Sequence, residues 1–159
     1  MKKFIDENGL FEAMIPITWK YSLLKEKVHT FQEYDIWKHD NFQISFHKIK
    51  DREHKRNFDE FTQKMILIHL GKHTCFCMPE SKGEGFTTKA WLSIIQNHMV
   101  TFSLTYSNEP VEERPLKEKL DESYEVIKNF NLIEEKEREA KMYLPQSFGQ
   151  LNNSPSLIN

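Results

Sequence analysis

Two cysteines in 159 residues leave little material for a scaffold held by disulfides. No secretory signal can be read at the start either: in Met1-Lys2-Lys3-Phe4-Ile5-Asp6-Glu7 the acids arrive before any apolar run does. The longest apolar stretch, Met65 to Leu70, is broken by His69 and falls far short of the roughly 20 residues that span a bilayer. An excess of one charge is also missing. With 22 Lys and Arg against 24 Asp and Glu the formal charge is -2, and no global field steers the chain onto nucleic acid or anionic lipid. A cytoplasmic chain with neither nucleic acid nor membrane as partner is expected.

The signatures of catalysis are sparse too. A nucleophile needs a hydroxyl or thiol beside a base that a third group orients, and no local spacing shows one. Glu80-Ser81-Lys82-Gly83-Glu84-Gly85 lacks the full glycine and Lys-Ser/Thr spacing of a phosphate-cradling loop, and no helix start follows it. It reads as an ordinary connector. One spacing hints at metal chemistry: His69-x3-His73-x-Cys75-x-Cys77 holds two imidazoles and two thiols, the donors zinc favours. On a strand the two sulfurs share a side about 6–7 Å apart, a poor fit to one ion, so small buried apolar groups are the better reading of Cys75 and Cys77. No cofactor is expected. His29, His39, His47, His54 and His98 fall on polar strand faces and turns, where histidines are usually solvated.

What the chain has is aromatic bulk, 12 Phe, 5 Tyr and 3 Trp, enough to fill one core although apolar residues make up only 38%. A chain of this length buries roughly two thirds of the surface it exposes when unfolded. The clearest pattern lies in Lys89–Phe130. Trp91–Ile95 and Met99–Ser107 alternate across the turn Gln96-Asn97-His98, with Val100, Phe102, Leu104 and Tyr106 on one side and Thr101, Ser103 and Thr105 on the other. Pro115–Phe130 follows as an amphipathic helix with Leu116, Leu120, Tyr124, Ile127 and Phe130 along one stripe. The class is α+β: an antiparallel β-sheet flanked by helices, with one wet face.

Earlier in the chain, Leu10–Ile15 reads as a strand stopped by Pro16. A turn or short helix follows, capped by Thr18, with Trp19, Leu23 and Leu24 inward and Lys20, Lys25 and Lys27 outward. Val28–Tyr34 and Phe42–Ile49 read as strands, with Asp40-Asn41 turning between them. Asn57 and Glu60 have capping-box spacing for a helix from Phe58 through Ile68 that Gly71 ends, although Ile66-Leu67-Ile68 allows its second half to be a strand. Cys75–Met78 is a short strand, 80–85 a loop, and another strand begins near Phe86. Residues 1–133 make up the domain; 134–159 form a charged extension and a polar tail outside the core.

A resemblance rests on this order. Pro16-Ile17-Thr18-Trp19 after a strand, the strand Phe42–Phe46, a helix, the Trp91 hairpin with Phe102-Ser103-Leu104-Thr105-Tyr106, and the closing helix Tyr124–Phe130 together resemble the PsbP-like superfamily. That superfamily includes the Ran-binding import factor of the Mog type, and the likeness covers about residues 9–133. It implies an α/β/α sandwich, is nearest to bacterial domains of unknown function, and implies binding or assembly more than catalysis. Pro16, Trp19 and Trp91 are structural signatures in it.

The functional expectation is a small non-catalytic binding or adaptor domain whose partner is another protein or a second copy of itself. Its contact surface is expected around Trp37, His39, Thr101, Ser103 and Thr105, in the loops 35–41 and 80–88, or on the tail. The alternative is a metal- or ligand-dependent enzyme with a pocket near His69, His73, Cys75 and Cys77. The run His47–Arg56, five Lys/Arg against two acids, is a solvated turn by default and a contact for phosphates or an acidic partner otherwise.

Overall fold

The computed structural model describes residues 1–24, 27–33, 40–109, 115–134 and 137. Trp37, His39 and the tail 143–159 lie outside them, so the expectations placed there do too.

Eight strands make the main antiparallel sheet. In spatial order seven of them are β3 (Trp19–Leu24), β4 (Val28–Glu33), β5 (Asn41–Lys48), β10 (His98–Ser107), β9 (Phe86–Ile95), β7 (His73–Cys77) and β6 (Ile66–Leu70), while β8 (Ser81–Lys82) pairs with β9 off this path. A second, three-stranded sheet contains β1 (Lys2–Ile5), β2 (Phe11–Ile15) and β11 (Asn131–Leu132). Two helices lie wholly among the described residues, α1 (Arg52–Thr62) and α2 (Leu116–Lys128).

The register explains the core. Phe42, Ile44 and Phe46 of β5 stand opposite Leu104, Phe102 and Val100 of β10, so the alternating apolar residues of both strands share one face. Phe11 from β2, Val126 and Ile127 from α2, and Phe130 close over that face, each fully buried. Phe130 meets Phe102 edge-on at 5.2 Å and Phe11 at 5.3 Å. Burying each such ring contributes about 1.5–3 kcal/mol. Phe46 and Tyr124 are half-buried against the same cluster. The opposite face carries Thr101, Ser103 and Thr105, all half-buried, with Thr105 Oγ1 2.9 Å from Thr88 Oγ1. Farther along that face α1 provides cover, where Phe58 packs edge-on against Phe76.

The hairpin between β9 and β10 turns at Gln96 and Asn97, both with positive φ (46° and 61°), the primed-turn geometry that suits the twist of antiparallel strands. Gly71 makes the turn from β6 to β7 with φ +59°, and a Cβ there would stand 3.3 Å from the Lys128 carbonyl oxygen at the end of α2. The left-handed backbone and the close approach both favour glycine.

Several expectations are corrected. Residues 19–24 form a strand rather than a turn or short helix. Pairing with β4 along six residues outweighs the local pattern, and Leu23 and Leu24 are left exposed instead of inward. The first helix begins at Arg52, because Asp51 accepts a hydrogen bond from the His54 N–H (2.8 Å) and caps it ahead of Asn57. It ends at Thr62, and β-branched Ile66 and Ile68 lie in β6, as the strand alternative had it. On α2 the stripe omits Leu116, which is exposed, and includes Val126. Strands β1, β8 and β11 have no counterpart in the sequence reading.

Candidate functional site

Two groups of residues compete for a functional role, and the first does not assemble. In the β6–β7 hairpin Leu70 faces His73 and Ile68 faces Cys75, so parity places His69 on the opposite side of the sheet from His73, Cys75 and Cys77. His69 is exposed and its Nδ1 lies 3.2 Å from Thr74 Oγ1. His73 is buried, and its Nε2–H donates to the Phe130 carbonyl at 2.8 Å, tying the hairpin to the end of α2. Cys75 is fully buried, and burial pushes its thiol up to about 11; Cys77 is raised for the same reason. Metal ligation needs thiolates, which this environment disfavours. Among the described residues no three His, Cys, Asp or Glu side chains converge as a metal site.

The second group is a cleft at the end of the main sheet where β4 begins and β5 ends. It has a volume of about 630 Å³ and is lined by Leu10, Lys27, His29, Phe46, His47, Lys48, Lys50, His54 and Met99. Among the described residues, apolar and aromatic side chains share its lining with three lysines and three histidines and with no carboxylate. Among the described residues no ion pair reaches Lys27, Lys48 or Lys50, whereas Lys3, Lys55, Lys89, Lys117, Lys119 and Lys128 each hold a carboxylate. The backbone between Lys48 and Lys50 is fixed by Ile49, which is buried and exchanges bonds with the hairpin turn. Its N–H donates to the Asn97 carbonyl at 2.9 Å and its carbonyl accepts from Asn97 Nδ2 at 3.3 Å.

His29 lines this cleft and is only 3% exposed, a correction to the expectation that it is solvated. Register with Ile44 turns it to the core face, where it stacks on Phe46 (5.6 Å, 4° between planes) and meets Phe11 edge-on at 4.7 Å. Its Nδ1 lies 3.0 Å from the Tyr21 hydroxyl, which donates to Asp6 Oδ1 at 3.2 Å. Asp6 Oδ2 accepts the N–H groups of Asn8 (3.1 Å) and Leu10 (3.4 Å), so buried Asp6 is fixed as an acceptor. Because the single Tyr21 proton goes to Asp6, the Tyr21 oxygen accepts from His29, and Nδ1 carries the imidazole proton. Burial and Asp6 push the Tyr21 hydroxyl up to about 12, while burial lowers His29 against the opposing pull of Asp6.

Of the surface residues expected to make contacts, Thr101, Ser103 and Thr105 form a polar row beside Ser45, Gln43 and Asn41, apart from this cleft. Only His47, Lys48, Lys50 and His54 of the cleft carried a local signal, as members of the basic run. Asp6, Tyr21 and His29 carried none.

No family model matches the chain, and no curated protein does. Among solved structures it is similar to a protein of Bacteroides thetaiotaomicron VPI-5482, with a TM-score of 0.65 and 23% identity over 85% of this chain. The chain spans about half of that protein, 49% of its length. It is also similar to cyanobacterial PsbP (CyanoP) of Synechocystis sp. PCC 6803, with a TM-score of 0.52 and 11% identity, covering 83% of this chain and 92% of the other. The PsbP-like α+β fold is thereby shown. At such identities the likeness is one of fold alone, and function rests on the site.

Proposed function

We propose that this PsbP-like domain is a non-catalytic binding module that holds an acidic segment of a partner protein in the cleft between Lys27, Lys48 and Lys50. The observation that carries this reading is that, among the described residues, the charges lining the cleft are all positive and no ion pair reaches its lysines. Like charges on the order of 10 Å apart in water repel by roughly 0.4 kcal/mol per pair, so the cluster adds nothing to stability. A carboxylate-rich ligand relieves that repulsion, and Leu10, Phe46 and Met99 offer apolar contact beside the charges. The volume is within the range of about 300–1,000 Å³ typical of ligand sites.

Titrating the full chain with hexaglutamate, and with hexaglutamine as the neutral control, tests the proposal. Hexaglutamate should bind with an affinity that falls as salt is added, and the pair Lys48→Glu and Lys50→Glu should weaken binding at least tenfold. Equal behaviour of the two peptides would refute it.

A further inference from the structure

Resting on the binding role proposed above, the geometry points to a proton-linked site: we infer that seating a carboxylate against His29 draws a proton onto its ring, so that filling the cleft is coupled to proton uptake through the Asp6–Tyr21–His29 chain.

The His29 tautomer is set by its partners. Asp6 accepts the Tyr21 hydroxyl hydrogen, and the Tyr21 oxygen in turn accepts Nδ1–H of His29, so in the neutral ring Nε2 is left with a lone pair and no hydrogen. An ionised carboxylate has only acceptor atoms. Facing a lone pair it makes no hydrogen bond, whereas facing Nε2–H of the imidazolium it makes a charge-assisted one. The added proton comes from solvent and does not disturb the chain below, since Nδ1–H already donates to Tyr21. Asp6 Oδ1 lies 3.6 Å from Nδ1, and the two side chains are 4% and 0% exposed for His29 and Asp6, so the imidazolium finds a counter-charge already in place.

In the empty cleft the surroundings oppose that proton. Lys27 from the β3–β4 turn, His47 and Lys48 from β5, Lys50 beyond it and His54 from α1 line the cleft with His29, and burial disfavours the charged ring. On the core side stand Asp6, with Glu7 next to it in sequence, and Tyr21 from β3; His98 of β10 reaches Phe46, on which His29 stacks. The net positive rim is the part an acidic ligand changes. Adding negative charge there removes the opposition and leaves Asp6 to favour the proton.

Calorimetric titration of the full chain with hexaglutamate, in two buffers of different ionisation enthalpy and in a series from about pH 7 to about pH 5.5, measures the coupling. Net proton uptake is expected on binding. His29→Gln should weaken hexaglutamate binding severalfold and lose most of the uptake, as linkage between ligand and proton requires, and Tyr21→Phe should reduce the uptake. Uptake unchanged in His29→Gln would overturn the inference. Histidine ring resonances of the unsubstituted chain provide a second readout should that variant fail to fold. Saturation should raise the His29 pKa by about one unit, a tenfold gain in proton affinity; a stationary His29 overturns the inference. Absence of any hexaglutamate binding refutes the binding role and this coupling together, whereas binding without uptake refutes the coupling alone.

Discussion

Strands β4, β5 and β10 run between two ends that treat charge in opposite ways. At one end Asp40 pairs with Lys119 of α2 and accepts the Ser107 N–H at 2.9 Å. Trp19, Phe31, Phe42 and Leu104 close around a cavity of only about 30 Å³ there. At the other end Lys27, Lys48 and Lys50 gather around a cleft some twenty times larger, about 630 Å³, with no carboxylate among the described residues of its lining. The closed end shows how this fold neutralises a charge it needs for packing. Among the described residues the open end has no such arrangement, and the proposed acidic ligand would supply the missing counter-charge.

Ways to break that contrast differ in size. Phe102 lies between the two ends and packs on Phe42 and Phe130, so Phe102→Ala should lower stability by about 3–5 kcal/mol in denaturant unfolding, damaging both ends alike. Asp40→Ala strands Lys119, whose side chain is 13% exposed, and should cost about 3 kcal/mol by the same measurement. A loss below about 0.5 kcal/mol there would show that the closed end is not held by its ion pair.

Acid should act on stability through the buried imidazoles. His29 and His73 both lie below the ordinary histidine value of 6.5 because burial disfavours their charge. As pH falls through 6.5 the unfolded chain takes up protons that the native one resists, so stability declines with falling pH until the native groups titrate as well. The denaturant midpoint should therefore drop between about pH 7 and about pH 5.5, and a flat midpoint would contradict these two environments. The smallest effect belongs to the open end. Lys48→Glu, a change at an exposed position that no ion pair reaches among the described residues, should leave stability within about 0.5 kcal/mol while weakening hexaglutamate binding.

Legibility in the sequence followed the range of the determining contacts. The β9–β10 hairpin and α2 were readable because strict alternation, a two-residue turn and an apolar stripe are all local, and only Leu116 departed from the stripe. Residues 19–24 misled because Pro16, Thr18 and consecutive Leu23-Leu24 imitate a capped helix, while their strand state is set by pairing with β4. Asp51 prevailed over Asn57 by a single cap bond, a competition that spacing alone does not decide. The cleft was the least readable feature, since it collects residues from the segments around 10, 27–29, 46–54 and 99. The Asp6–Tyr21–His29 chain spans separations of 8 and 15 residues, from the loop after β1 to two strands of the main sheet, and no periodicity marks it.

The basic cleft as the recognition site is the central claim, and mapping backbone amide shifts of the isotope-labelled chain during hexaglutamate titration tests it most directly. The account predicts shifts concentrated at Lys27, His29, Phe46 to Lys50, His54 and Met99, with Asp40, Ser107 and Lys119 unmoved. Shifts centred instead on Thr101, Ser103 and Thr105, or spread evenly over both ends of the sheet, would contradict it.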